Sequence, residues 1–94
     1  VTFAHTHAHR HDPATSVEAA RSIQNVAERH TFIIATMLLF YGPLTSAEIS
    51  DRCELDYWQV ARRISDLKHD GKVLDSGGRR RSPGGRSACV WRLV

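Results

Sequence analysis

A chain of 94 residues suffices for one small hydrophobic core and hardly for two. Its longest apolar run, residues 32–41, is broken only by Thr36 and falls well short of the roughly 18 residues a membrane span needs. The formal charge of +3 is unevenly placed: residues 1–70 hold seven Lys or Arg against nine Asp or Glu, whereas residues 71–94 hold six against one.

The chain begins with His5, His7, His9 and His11 in strict alternation. In an extended segment these imidazoles point to one side and could share a zinc or nickel ion. Nothing nearby supplies a rigid second layer of contacts, so residues 1–14 read as a flexible tail without a resident metal. No apolar stretch followed by a small-residue cleavage site occurs there, and the cytoplasm is the expected location. Cys53 and Cys89 have no second ligand at metal-binding spacing, and both read as reduced, partly buried small apolar side chains.

Helical signals start at Asp12 and Pro13 and continue with Thr15 and Glu18 at capping-box spacing. A helix is expected over residues 16–29, with Val17, Ala20, Ile23, Val26 and Ala27 forming one buried stripe. Residues 30–41 follow as the core helix, and the pattern leaves open whether the two join or bend near His30 and Thr31. Nine of the ten residues 32–41 are apolar, so this helix has more apolar surface than one stripe can hide. Either the preceding helix folds over the excess or a second copy of the chain packs there as a homodimer through the N-terminal helices.

Gly42 and Pro43 stop the core helix, with Leu44 placed as a staple before a cap at Thr45. Thr45 with Glu48, and Asp56 with Gln59, are two capping boxes whose starts lie eleven residues apart. A short supporting helix over residues 46–53 and a second over 57–70 follow, joined by Glu54 and Leu55. This is the spacing of a helix-turn-helix whose second helix faces a groove. At 100° per residue Val60, Ile64 and Leu67 face inward, while Trp58, Arg62, Ser65 and His69 face out. Tyr57, Trp58, Gln59 and Arg62 near the helix start are the candidate base contacts, with Arg63 more lateral and Thr45 and Ser46 at the start of the supporting helix counted with them. Arg62 suits guanine and Gln59 adenine.

Beyond Gly71, Val73 with Leu74 and residues 88–93 read as an antiparallel hairpin, in which Trp91 closes the core. The connection, residues 75–87, carries Arg79, Arg80, Arg81 and Arg86 among glycines, and reads as a flexible cationic finger for phosphate or the minor groove. The fold class is therefore mainly α with a small antiparallel β-hairpin (α+β).

The blocks LTSAEISDRCELDYWQVARRISDLKHDGKV and GRRRSPGGRSACVWRL, about half of the chain, resemble winged helix-turn-helix proteins of small bacterial and phage type. The resemblance implies a winged domain over residues 15–94 with an extra N-terminal helix. It places residues 57–70 in the major groove of double-stranded DNA and the arginine wing, residues 76–87, on the adjacent backbone or minor groove. A transcriptional regulator is the expected function, with no membrane partner and no cofactor. The alternative is a protein-interaction adaptor in a replication or recombination complex that uses the winged domain and the apolar helix 30–41; RNA binding ranks third. No phosphate loop, nucleophile elbow, metalloprotease helix or acid–base pair at meaningful spacing occurs, so no enzyme is expected.

Overall fold

The computed structural model describes residues 13–94. The expected tail, His5, His7, His9 and His11 included, lies outside the described residues except for its last two positions. Among the described residues, four helices, α1 (Pro13–Ala20), α2 (Val26–Tyr41), α3 (Ser46–Arg52) and α4 (Tyr57–His69), precede an antiparallel hairpin of β1 (Val73–Arg81) and β2 (Ser87–Leu93). The α+β expectation holds. No helix among the described residues is long and apolar enough to cross a membrane.

The first helical stretch differs from the one its periodicity suggests. The break falls at residues 21–25, not at His30 and Thr31, and residues 26–29 belong to α2. Asn25 is responsible: its backbone is extended and its side-chain Oδ1 accepts from the Glu28 N–H at 2.9 Å, which starts a new helix. Arg29 then reaches back to the Ile23 carbonyl at 3.4 Å and holds the bend. Ala20 is buried and Val17 and Ile23 pack on the core, whereas Val26, counted in the same stripe, is 52% exposed because it opens the next helix.

The two capping boxes form as read. Thr45 Oγ1 accepts from the Glu48 N–H while Glu48 Oε1 accepts from the Thr45 N–H; Asp56 and Gln59 repeat the exchange. Leu44 and Ile49, at staple spacing around the first cap, are both in the core. Leu55 is buried in the turn, and its carbonyl accepts from Ser50 Oγ at 2.9 Å. At the far end of α4, the Gly71 N–H donates to Lys68 and the Lys72 N–H to Leu67, a Schellman closure that turns the chain into β1.

The core joins Ile33, Ile34, Met37 and Leu38 of α2 to Ile49, Leu55, Val73 and the inner stripe Val60, Ile64 and Leu67 of α4, with Trp91 and Leu93 packed against it. β2 also pairs on its other edge: Leu44 and Trp91 exchange N–H···O bonds of 3.0 and 2.8 Å in an isolated antiparallel bridge.

The hairpin is longer than expected. Arg79, Arg80 and Arg81 are not on a flexible finger; they sit in β1 opposite Cys89, Ala88 and Ser87. Local composition argued for a loop, but the β-favouring residues of β2 supply a partner strand, and pairing overrides propensity. The Ser76–Gly77–Gly78 segment is absorbed as a bulge between Asp75 and Arg79. Gly77 takes φ +87°, and the amides of Gly77 and Gly78 donate to the Asp75 and Ser76 side chains. Only residues 82–86 form the tip, closed by Ser82 N–H to Arg86 O at 2.7 Å.

The position of the break yields a paired prediction. Asn25→Ala should lower stability by about 1 kcal/mol, whereas Thr15→Ala, on an exposed face within α1, should change it by less than about 0.5 kcal/mol. Thermal unfolding of both variants checks this, and equal losses would contradict the break.

Candidate nucleic-acid interface

The start of α4 and the hairpin tip line one groove of about 550 Å³. Tyr57, Ala61 and Ile64 form one wall, Ser82, Pro83 and Arg86 the tip side, and Ser46 and Ala47 of α3 close one end. Three candidate contacts, Ser46, Tyr57 and Arg86, are thereby brought together. Trp58 stands beside the groove, 75% exposed, with its ring edge-on to Tyr57 at 5.2 Å and 85°. Arg62 lies one turn further along the outer face, exposed and without an ion pair among the described residues.

Other candidates are placed differently. Thr45 is buried, and its hydroxyl is occupied by the cap. Arg63 is largely covered and pairs with Asp66 at 3.2 Å, so it stays on the flank. Gln59 is exposed, but its Oε1 accepts from the Asp56 N–H at 3.0 Å. That leaves its amide nitrogen and one lone pair of an already oriented oxygen for a base.

The arginines of the hairpin divide into two kinds. Arg79 makes a two-pronged contact with Asp75, at 2.9 and 3.0 Å. This hydrogen-bonded guanidinium, with help from the Gly77 amide, holds the Asp75 carboxyl far below the usual carboxylate range, and Asp75 in turn raises Arg79. Arg80 crosses to the other edge of the sheet, where Nη2 donates to Glu48 Oε1 at 2.7 Å and to the Pro43 carbonyl at 2.8 Å. Arg81 and Arg86 have no ion pair among the described residues, and both are exposed.

Glu48 connects the cap to the hairpin, since Oε1 receives Thr45 N–H and both Nε and Nη2 of Arg80. Burial alone would raise its carboxyl, but the Thr45 amide and the Arg80 guanidinium together bring it below the ordinary value. His30 of α2, which lines a recess with Gln59, Arg62 and Arg63, is lowered by burial and then by Arg29 and Arg63. Both thiols are raised, chiefly by burial, which makes each a poor nucleophile. The described residues contain no group of three or more His, Cys, Asp or Glu that could hold a metal ion.

Sequence reasoning missed Glu48 and Asp75 as organisers of the hairpin. The Asp75–Arg79 spacing around a Gly-Gly pair offered a local signal. Glu48 and Arg80 lie 32 residues apart, and no pattern joins them.

No protein-family model matches the chain, and no curated protein matches its sequence.

The Glu48 contact makes a pH prediction. A carboxyl that is lowered by folding contributes stability in full above its unfolded value of about 4.3, and that stability disappears as pH falls through the folded value. Glu48→Gln retains an oxygen for the cap but loses the charge, so it should destabilise the protein at pH 7 by under about 1 kcal/mol, because water screens this half-exposed pair. The difference from wild type should shrink towards zero below about pH 4. Denaturant melts of both proteins across pH 3–7 measure it; a gap that persists unchanged at pH 3 would remove the ion pair as its cause.

Proposed function

We propose that the protein binds double-stranded DNA sequence-specifically as a winged helix-turn-helix domain, in the manner of a transcriptional regulator. The carrying observation is the groove shared by Tyr57 at the start of α4 and Arg86 at the hairpin tip, with Trp58 exposed against Tyr57 and Arg62 exposed one turn further along α4. The order of α2, the Leu44 bridge, α3, α4, β1 and β2 is compatible with that fold. In this reading α4 enters the major groove and the tip lies on the neighbouring backbone or minor groove. Of the candidate contacts, Arg62, Arg81 and Arg86 are exposed without an ion pair among the described residues and can neutralise phosphate or fork onto a base, while Arg79 and Arg80 shape the hairpin.

One observation favours a second reading, a protein-interaction adaptor. Phe32, Ala35 and Leu39 form a stripe along α2, with Phe32 43% and Leu39 72% exposed. α4 packs near Ala27 and His30, so at 100° per residue the stripe faces away from it.

The number of free cations separates DNA binding from an apolar interface. Two phosphate contacts, from Arg81 and Arg86, give a slope of log K against log salt of roughly −2, shallower than the arginine count of the sequence suggests. Arg81→Ala or Arg86→Ala should weaken every duplex alike and reduce the slope by about 1 each. Arg62→Ala should relax sequence preference at a cost of about 1–3 kcal/mol. Fluorescence anisotropy on matched and scrambled duplexes at several salt concentrations tests this, and salt-independent binding would count against it. For self-association, sedimentation of wild type and Leu39→Glu is decisive: a dimer lost in the variant supports it, and a wild-type monomer at micromolar concentration ends it.

A further inference from the structure

Three side chains stand at the outer start of α4, and their hydrogen bonding ranks them as readers. A bidentate adenine contact uses both the oxygen and the nitrogen of a glutamine amide. Gln59 has already committed its oxygen to the Asp56 amide, while Asp56 Oδ1 receives the Gln59 N–H at 2.8 Å. Reading adenine in that way requires the same oxygen to accept a second bond from the orientation that the cap imposes on the amide. Trp58 has no such obligation. Its indole makes no hydrogen bond to a described residue, and it is one of the two most exposed large apolar side chains described. One edge is braced by Tyr57, which itself lines the hairpin groove, so the ring is held from one side and open on the other.

We propose that Trp58 is a specificity-determining residue that packs on the C5-methyl group of a thymine, next to a guanine taken by Arg62. This rests on the DNA-binding reading above. The major-groove edges of the four bases offer a single apolar group, the thymine methyl, and a large exposed apolar ring beside polar donors matches it. Arg62 is one helical turn on, with a free guanidinium whose fork fits guanine O6 and N7. Four residues rise about 6 Å along a helix and successive base pairs about 3.4 Å, which puts the thymine and the guanine within about two base pairs of each other.

The test begins with duplexes selected from a random pool by the full-length wild-type protein. Each thymine of a selected duplex is then replaced singly by deoxyuridine, which lacks only the methyl group. At one position the replacement should weaken wild-type binding about fourfold, the equivalent of one buried methylene. Trp58→Ala should bind more weakly and be indifferent to that replacement, and Trp58→Phe, which keeps an aromatic face, should retain part of the response. A guanine within two steps, changed to 7-deazaguanine, should weaken wild type and leave Arg62→Ala unaffected. If the selected duplex is preferred but no thymine methyl matters, or if the deoxyuridine penalty persists in Trp58→Ala, the assignment is overturned while DNA reading stands. If the wild type prefers no duplex over a scrambled one, the DNA-binding reading itself fails and takes the assignment with it.

Discussion

The segment from Pro43 to Glu48 joins the helical half of the molecule to the hairpin, and the geometry of the candidate interface depends on it. Leu44 exchanges two backbone hydrogen bonds with Trp91, and four residues later one carboxylate oxygen of Glu48 receives both the helix-cap amide and the Arg80 guanidinium. A two-stranded hairpin alone is marginal in water. Here it is tied at its base through Leu44 and further out through Arg80, while Trp91 and Leu93 anchor it to the core. The groove between α4 and the tip has defined walls because both belong to elements fastened to this one segment.

Charge in the sequence and charge available to a ligand are different quantities in this hairpin. Four arginines lie close together in the chain, yet antiparallel alternation and the Asp75 bulge direct them to different partners. Arg79 closes the bulge, Arg80 clamps the hairpin to α3, and Arg81 at the end of β1 and Arg86 at the tip remain without an ion pair among the described residues. The clamp residues have moderate energetic worth, since both pairs are half-exposed and screened by water. Their larger effect is on orientation: they order a glycine-rich strand that its own composition leaves irregular.

Much of the fold was legible because its signals are local. Capping boxes operate within three residues, the inner stripe of α4 repeats every three to four, and Gly71 closes the helix in a position only glycine takes easily. Asn25 with Glu28 carried the same kind of local information, but the apolar spacing of Val17, Ala20, Ile23, Val26 and Ala27 ran through the break and concealed it. The extent of β1 was not legible, since Ser76, Gly77 and Gly78 disfavour a strand until β2 pairs with the residues beyond them. For the candidate site, the exposure of Trp58 and Arg62 followed from helical phase. The commitments of Thr45 and Gln59 were implicit in the capping boxes, where a side-chain oxygen that accepts from a backbone amide is held in one orientation.

By itself the sequence determined where α2 ends, where α3 and α4 begin, which side of α4 turns inward, and that the C-terminal quarter is cationic. Each of these depends on neighbours within a few residues, where the chain has little conformational choice. Only the tertiary structure decided that the start of α4 and the hairpin tip share one groove, that Arg80 belongs to Glu48, and that Phe32 and Leu39 stay open to solvent on the side away from α4. Those outcomes depend on contacts between distant parts of the chain, which exist only after the core has formed and set the elements at their angles.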